Sequence, residues 1–158
     1  HGRTRCQFYN GRADWAAIRA VREAIRIPLV ANGDLTRPEE LVEMLRQSGA
    51  DAVMLGRATY GRPWLPGALV AFAATGHMPA PPEGEELVDL ISGHYEGLLA
   101  HYGDAIGLRA ARTHLAWYLD AAGVATPLRA AMLTEERPAE VVRLVRRAFA
   151  EEPLRRAA

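Results

Sequence analysis

Two glycine-containing corners, each following a short apolar run, are the residues of this chain best suited to hold an anion. Asn32-Gly33-Asp34 follows the run 27–31, and Gly56-Arg57 follows the run 52–55. Glycine lets the backbone approach a ligand closely. Backbone N–H groups at a strand end can surround a phosphate, and arginine adds a forked, permanently charged donor. Asn32 offers both a donor and an acceptor. The pair of corners therefore indicates a phosphate or cofactor site, although either corner alone is more often an ordinary loop.

One helical segment separates these corners, beginning at Thr36 and ending at Gly49. Two short buried strands around a helix form a βαβ unit, which implies parallel strands and a right-handed crossover. The pattern Thr36-Arg37-Pro38-Glu39 predicts a capping box, and Leu41, Val42 and Leu45 are the predicted buried face of the helix. Ligands of parallel sheets and (β/α)8 barrels bind at the carboxyl ends of strands. We therefore expect any ligand of this region at the two corners.

A polar segment, residues 1–7, opens the chain and is typical of a loop after a buried strand. His1 with Arg3 and Arg5 is suited to contact an anionic or flavin ligand, but an ordinary polar loop has the same composition. For Cys6 we expect a plain loop thiol, since no helix N-terminus is evident that would lower its pKa.

Downstream of the polar segment, Asp14 predicts the N-cap of a helix through about Ile25. Its apolar stripe would consist of Ile18, Val21, Ala24 and Ile25.

The chain changes character after the segment 76–84, which contains Pro79, Pro81 and Pro82 and predicts a linker. No strand pattern follows, and four helical segments are predicted. They cover about 85–102, 104–122, 127–133 and 138–150, which is typical of a small helical bundle. The predicted fold class is thus α/β plus all-α: residues 1–75 are the end of an α/β barrel, 76–84 a linker, and 85–158 a helical domain.

The second of these helices carries Arg109 and Arg112, which lie three residues apart and share a face. His114, Trp117 and Tyr118 follow. Arginine beside aromatic residues is suited to grip a phosphate backbone and to stack on bases. On spacing alone, a solvated charged edge next to a core tryptophan is the more frequent explanation.

Composition excludes several classes of protein. The formal net charge is zero and all nineteen basic residues are arginine, so no lysine is present to form a Schiff base. No apolar run is long enough to span a membrane. The single cysteine rules out a disulfide framework and fits a reducing cytoplasm. The five histidines show no metal-ligand spacing, and neither a dinucleotide fingerprint nor a P-loop occurs.

Several motifs, taken in order, resemble the tRNA-dihydrouridine synthases, in particular a bacterial branch of that family. They are His1-Gly2-Arg3-Thr4-Arg5, Ala13-Asp14-Trp15, Ile27-Pro28-Leu29-Val30-Ala31-Asn32-Gly33-Asp34, Val53-Met54-Leu55-Gly56-Arg57-Ala58 and Gly61-Arg62-Pro63-Trp64. Residues 109–118 are similar to the signature of the family's helical domain, with Thr113 standing where a lysine is common.

The resemblance implies an FMN-binding TIM barrel followed by a helical domain that holds tRNA. Asn32, Gly33, Asp34, Gly56 and Arg57 would bind FMN, chiefly its phosphate, and His1 would lie against the flavin ring. Arg109, Arg112 and His114 would face tRNA. The implied reaction is reduction of the C5–C6 bond of a uridine in tRNA in the cytoplasm, with NADPH as reductant and without a metal.

The family's proton-donating cysteine belongs to a segment earlier in the barrel. Because the chain begins at His1 on a strand-end loop, we expect a fragment whose catalytic cysteine lies outside it, a role that Cys6 does not inherit. Two alternatives stay open. One is a stand-alone helical RNA-binding module, and the other is a different FMN-dependent TIM-barrel oxidoreductase.

Overall fold

The computed structural model describes residues 1–124 and 126–151 and divides the chain into two compact units. The first unit comprises His1–Thr59 and Pro63–Pro79, and the second comprises Tyr60–Arg62 together with the chain from Ala80 onward. Both strands of the described chain lie in the first unit, whereas the second is built from helices. This confirms the α/β character of the first part. The assignment of 1–75, 76–84 and 85–158 to a barrel, a linker and a tRNA-binding domain stays a prediction.

The first unit contains two parallel strands and three helices. Strand β1 is Val30–Asn32 and β2 is Ala52–Met54, while the helices are α1 (Ile18–Ala24), α2 (Glu39–Ser48) and α3 (Leu65–Thr75). Short 3-10 turns cover Arg5–Gln7 and Arg57–Thr59. The strands pair in the register Val30↔Ala52, Ala31↔Val53 and Asn32↔Met54, which confirms the predicted parallel βαβ unit.

Strand β1 is shorter than the apolar run that predicted it. The backbone N–H of Leu29 donates to the Asp51 carboxylate (2.8 Å), and the Leu29 carbonyl accepts from the Asp51 and Ala52 amides. Pro28 has no N–H to contribute to a ladder. Regular pairing therefore begins only at Val30.

The N-terminus of α2 differs from the predicted capping box. The helix begins at Glu39, and the carboxylate that reaches back is that of Glu40, not Glu39. Glu40 Oε2 accepts hydrogen bonds from the backbone N–H groups of Thr36 and Arg37 at 3.2 Å each. The Thr36 N–H is thus satisfied as in a capping box, but by the next residue along the chain, and the second donor is the Arg37 N–H instead of the Glu39 N–H.

Two predicted apolar stripes were partly wrong. In α2, Leu41 and Met44 are buried, whereas Val42 is 64% exposed. Helix α1 begins at Ile18, and Asp14 caps the preceding turn, where its Oδ1 accepts from the Ala17 amide (3.0 Å). Of its predicted stripe only Ile18 is fully buried. Val21 and Ala24 are exposed, so the covered side of α1 is narrower than the apolar stripe of its sequence.

The core of the first unit lies between the sheet and the helices. Its buried residues are Trp15, Ile18, Ala31, Leu35, Leu41, Met44, Ala58, Leu65 and Leu69. Ser48 is also buried, and its hydroxyl donates to the Met44 carbonyl (2.7 Å) while accepting from the Ala50 amide (3.2 Å), so that its polar atom is paired. Gly49 ends α2, as predicted, and adopts the left-handed conformation common at this position.

The second unit contains four helices: α4 (Gly84–Tyr102), α5 (Asp104–Ala122), α6 (Thr126–Thr134) and α7 (Pro138–Arg146), followed by a π-helical turn, Arg147–Glu151. All four predicted helical segments are confirmed. Helix α4 packs against α5 and α7, and α6 packs against α5 and α7. Ile91, Leu119, Met132, Val141 and Val145 are almost completely buried in this unit. In the described part of the chain, no helix has the length and apolar character needed to cross a membrane.

Candidate functional site

The two predicted corners lie side by side in the first unit. Because Asn32 is in register with Met54, the residues that follow β1 and β2 leave the sheet at the same edge. The opening segment joins them there, since the Gly2 amide donates to the Asn32 carbonyl (3.0 Å) and the Asp14 amide donates to the Gly2 carbonyl (2.7 Å). Three segments singled out from the sequence therefore converge at one edge.

Asp34 is paired inside this edge. Its two carboxylate oxygens accept from Arg3 Nη1 (2.7 Å) and Nη2 (2.6 Å), and Oδ2 also accepts from the Ala13 amide (2.8 Å). Partial burial raises the pKa of Asp34, but the hydrogen bonds from Arg3 and Ala13 and the charges of Arg3 and Arg57 outweigh it and lower that pKa below 3.8. The carboxylate is thus ionised and held in place.

Arg57 lies next to that pair with its guanidinium accessible. Its Nη2 is 3.7 Å from Asp34 Oδ1, its side chain is 56% exposed, and its guanidinium lies 4.8 Å from the centre of the Tyr9 ring. Arg3 and Arg57 together carry two positive charges against the single negative charge of Asp34. The edge therefore has a net charge of about +1, which favours an anion.

The backbone at Gly33 is fixed by close packing. Trp15 is buried, and its indole N–H donates to the Gly33 carbonyl (2.7 Å). Gly33 has φ +131°, and a Cβ there would lie 2.6 Å from the Ala13 Cβ. Only glycine fits this position. A Cβ at Gly56, in contrast, would meet no atom within 4 Å, so the second corner is open to a ligand.

His1 and Asn32 complete the predicted cofactor residues. His1 is exposed, and its Nδ1 accepts from the Arg3 amide (2.9 Å), so the neutral ring carries its proton on Nε2. Its Cε1 lies close to Gly33. The Asn32 side-chain amide donates to the Met54 carbonyl (3.3 Å) and links the two strand ends. Cys6 is exposed in the turn Arg5–Gln7.

The residues predicted to bind RNA all lie on α5 of the second unit, but they point in different directions. Arg109 is exposed. Arg112 is partly buried, its Nη2 lies 3.9 Å from Glu136 Oε1, and its Nε is buried without a hydrogen-bond partner among the described atoms. His114 instead contacts other rings. The structure thus brings Arg112 and His114 onto different sides of the helix.

His114 belongs to a cluster of rings in the second unit. It packs edge-on against Trp117 (5.0 Å between ring centres) and against His94 (4.7 Å). His94 Nδ1 and the Tyr118 hydroxyl share a hydrogen bond of 3.0 Å. Burial lowers the pKa of both histidines below 6.5, with the neighbouring His114 adding to the effect on His94, and burial raises the pKa of Tyr118 to about 12. The cluster is therefore neutral near pH 7.

Trp117 also stacks on Tyr60, which belongs to the same unit. Their ring centres are 3.7 Å apart and their planes differ by 7°. Tyr60 is 43% exposed. Among the described residues, no group of three or more histidine, cysteine or acidic side chains is arranged to hold a metal ion.

Comparison with known proteins gives independent evidence on the family of this chain. A family model described as dihydrouridine synthase (Dus) matches residues 1–153. The chain belongs to the dihydrouridine synthase family. This confirms the resemblance on which the sequence-based predictions rest.

Curated relatives agree with this membership. The chain is 49% identical over 151 residues to a probable tRNA-dihydrouridine synthase of Rhodobacter capsulatus, covering 96% of this chain and 46% of the relative. It is 49% identical over 143 residues to one of Rhizobium leguminosarum, covering 89% and 43%. It is 44% identical over 149 residues to tRNA-dihydrouridine synthase B of Xanthomonas axonopodis, covering 94% and 45%. The chain spans about half the length of the curated relatives that it matches.

Sequence reasoning overlooked several residues of both regions. For Arg3, ligand contact and an ordinary polar loop were both left open, and the structure shows that it binds Asp34. Spacing could not show this because the two residues are 31 positions apart. His94 was not singled out, although it lies on α4 opposite His114. Tyr60 gave only a weak signal, as an aromatic residue next to a glycine. These contacts join residues that are far apart in the sequence, so no periodic pattern of residue types indicates them.

Proposed function

We propose that this chain is part of an FMN-dependent oxidoreductase that reduces specific uridines of tRNA to dihydrouridine. Family membership over residues 1–153 is the observation that carries the proposal. The relatives named as tRNA-dihydrouridine synthases support the substrate, and each is matched over less than half of its length. A tRNA substrate is consistent with a cytoplasmic enzyme.

The strand edge of the first unit fits the phosphate of FMN. Its donors are the exposed Arg57 guanidinium and the backbone at Gly56, where an added Cβ would meet no atom within 4 Å. Arg3 neutralises Asp34, so that the carboxylate does not repel a bound phosphate. Asp34 would then act by orienting Arg3 and Arg57 instead of touching the cofactor. Asn32 and Gly33 would shape the edge, and His1 would lie against the flavin ring.

The chemistry of the bound cofactor would be hydride transfer to the uracil C5–C6 bond, with NADPH as the source of reducing equivalents. This chain's own residues would bind and orient. His1 holds its proton on Nε2 because Nδ1 is occupied by the Arg3 amide. The proton donor of the reaction is not assigned to this chain, and Cys6 is an exposed residue of a turn.

The parallel strands also support a barrel as the complete architecture of this region. Val30 and Met54 are large apolar residues of β1 and β2, yet they are 54% and 57% exposed. Apolar side chains on strands of a parallel sheet are normally covered on both faces. We propose that further strands of a TIM barrel cover them and that α4 to α7 form the tRNA-binding domain of the family.

The decisive experiment is to express the complete gene in a host strain that lacks dihydrouridine synthases and to quantify dihydrouridine in its tRNA by mass spectrometry. We expect a yellow protein that contains FMN and restores dihydrouridine. Flavin binding without dihydrouridine would favour a different FMN-dependent oxidoreductase. Binding of tRNA without flavin would favour an RNA-binding module.

A further inference from the structure

A three-residue segment, Tyr60–Arg62, separates two stretches of the first unit and packs as part of the second. The Tyr60 ring stacks on the Trp117 indole, with ring centres 3.7 Å apart and planes that differ by 7°, although the two residues are 57 positions apart in the sequence. Stacked aromatic pairs contribute to stability beyond the area that they bury. The contact therefore fixes this segment against the middle of α5.

Gly61 makes the approach possible. It has φ +68°, and a Cβ there would lie 2.3 Å from the Trp117 carbonyl oxygen, 2.8 Å from the Trp117 carbonyl carbon and 2.9 Å from the Ala121 Cβ. Two of these atoms belong to the helix backbone, which cannot move aside as a flexible side chain would. The position thus requires glycine for its conformation and also for its lack of a side chain.

The same tryptophan is in contact with a residue predicted to bind RNA. The Tyr60 ring stacks on one face of the Trp117 ring, and the His114 ring packs edge-on against Trp117 with 5.0 Å between ring centres. His114 also packs edge-on against His94, whose Nδ1 shares a hydrogen bond with the Tyr118 hydroxyl. His114 is therefore linked to Tyr60 through the Trp117 ring that both of them contact.

We propose that Tyr60 and Gly61 are positioning residues for His114, one of the residues of α5 that are proposed to meet tRNA. This inference rests on the proposed function. They act through Trp117, which they hold so that His114 keeps the orientation in which it meets RNA. No contact of Tyr60 or Gly61 with the cofactor is needed for this role.

The test uses the protein expressed from its complete gene and compares Tyr60→Ala, Tyr60→Phe and Gly61→Ala. We expect Tyr60→Ala and Gly61→Ala to raise the Kd for tRNA about three- to tenfold, the equivalent of one lost aromatic stack. Tyr60→Phe keeps the ring and should bind tRNA like the unchanged protein. Flavin content and NADPH oxidation without tRNA should be the same in all variants.

Two glycines of the same unit serve as controls. Gly97→Ala, on α4, adds a methyl group that meets nothing within 4 Å and should change neither the Kd for tRNA nor the flavin content. Gly107→Ala would bring a Cβ 2.8 Å from the Leu99 Cα and should lower the melting temperature through helix packing. It shows what general damage to this unit does to the Kd.

Three results would overturn the inference: an unchanged Kd in Tyr60→Ala, an equal loss in Tyr60→Phe, or a fall in flavin content that parallels the loss of tRNA binding. The equal loss would mean that the hydroxyl group touches RNA directly. If the unchanged protein makes no dihydrouridine but binds tRNA, the proposed function fails while the Kd comparison still decides this inference. If it does not bind tRNA at all, both fail.

Discussion

Arg3 and Asp34 form a two-point ion pair across 31 residues of sequence, with distances of 2.7 and 2.6 Å and side chains that are only 7% and 19% exposed. The pair fastens the opening segment of the chain to the corner after β1. Asp34 adopts φ +56°, a conformation that costs energy for a residue other than glycine. The ion pair and the hydrogen bond from the Ala13 amide stabilise that conformation.

Removing this carboxylate should strongly destabilise the first unit. Asp34→Ala removes the countercharge of the nearly buried Arg3 guanidinium, which keeps only its hydrogen bonds to the Gly11 carbonyl (2.6 Å) and the Asn10 carbonyl (3.3 Å). Removing one partner of such a pair costs about 3–5 kcal/mol. Urea unfolding of the chain measures the change. Arg37→Ala is the control, because Arg37 pairs with Glu40 while its own side chain is 70% exposed, and exposed ion pairs contribute little to stability. Equal losses in the two variants would show that Arg3 is solvated after all.

Arg57→Ala should weaken retention of FMN by the protein expressed from its complete gene. A hydrogen bond to a charged group contributes about 1.5–3 kcal/mol, so the Kd for FMN should rise roughly 10- to 100-fold. Arg57→Lys keeps a point charge but loses the forked guanidinium. Its Kd for FMN should therefore lie between those of the unchanged protein and Arg57→Ala. Absorbance of the flavin after extensive dialysis against flavin-free buffer measures the FMN content.

The matched control for Arg57 is Arg12→Ala, which removes another arginine of the first unit that is 79% exposed. It should leave flavin content unchanged. If Arg57→Ala keeps its flavin as well as Arg12→Ala does, the corner Gly56-Arg57 is not the phosphate site.

Local patterns predicted the elements of this chain better than its contacts. The parallel pair β1 and β2 and the four helices from Gly84 onward follow from apolar runs, glycines and prolines. The exposed side of α2 could not be predicted, since Val42 has the same apolar character as the buried Leu41. Which of them is covered depends on the neighbouring elements and not on the helix itself.

The site residues show the same division. The convergence of Asn32 and Arg57 followed from the rule that parallel strands end at one edge. Two other contacts could not be predicted, namely the pairing of Asp34 with Arg3 and the stack of Tyr60 on Trp117. Each joins residues that are far apart in the sequence and are brought together only by the tertiary fold. Spacing on α5 grouped Arg109 with Arg112 but could not show that Arg112 is partly buried beside Glu136.

The two arginines of α5 should therefore respond differently to substitution. Arg109→Ala removes an exposed charge and should weaken tRNA binding with little effect on stability. If Arg109 neutralises one phosphate, the slope of log K against log salt should decrease by roughly one. Arg112→Ala should in addition lower the melting temperature, since it removes the packing of a partly buried side chain.

Titration of tRNA binding at several salt concentrations, with thermal unfolding of the same samples, measures both effects. Arg143→Ala provides a control, because Arg143 is exposed on α7 and pairs with Glu140. NADPH oxidation without tRNA should be unaffected in all three variants. A salt slope that stays the same in Arg109→Ala would refute a phosphate contact by this residue.

The second unit should lose stability as the pH falls below about 6.5. Burial lowers the pKa of His94 and His114 in the folded protein, whereas both take the ordinary value of 6.5 when unfolded. Between the two values the unfolded state binds more protons, so the free energy of unfolding decreases as the pH falls through this range. The largest possible change in the free energy of unfolding is about 1.4 kcal/mol per pH unit for each histidine.

Thermal unfolding between pH 7.5 and 5 measures how stability depends on pH, and NMR titration of the imidazole Cε1–H signals identifies the groups. The double variant His94→Gln, His114→Gln should show a weaker dependence of stability on pH. Histidines that titrate at or above 6.5 would contradict the prediction.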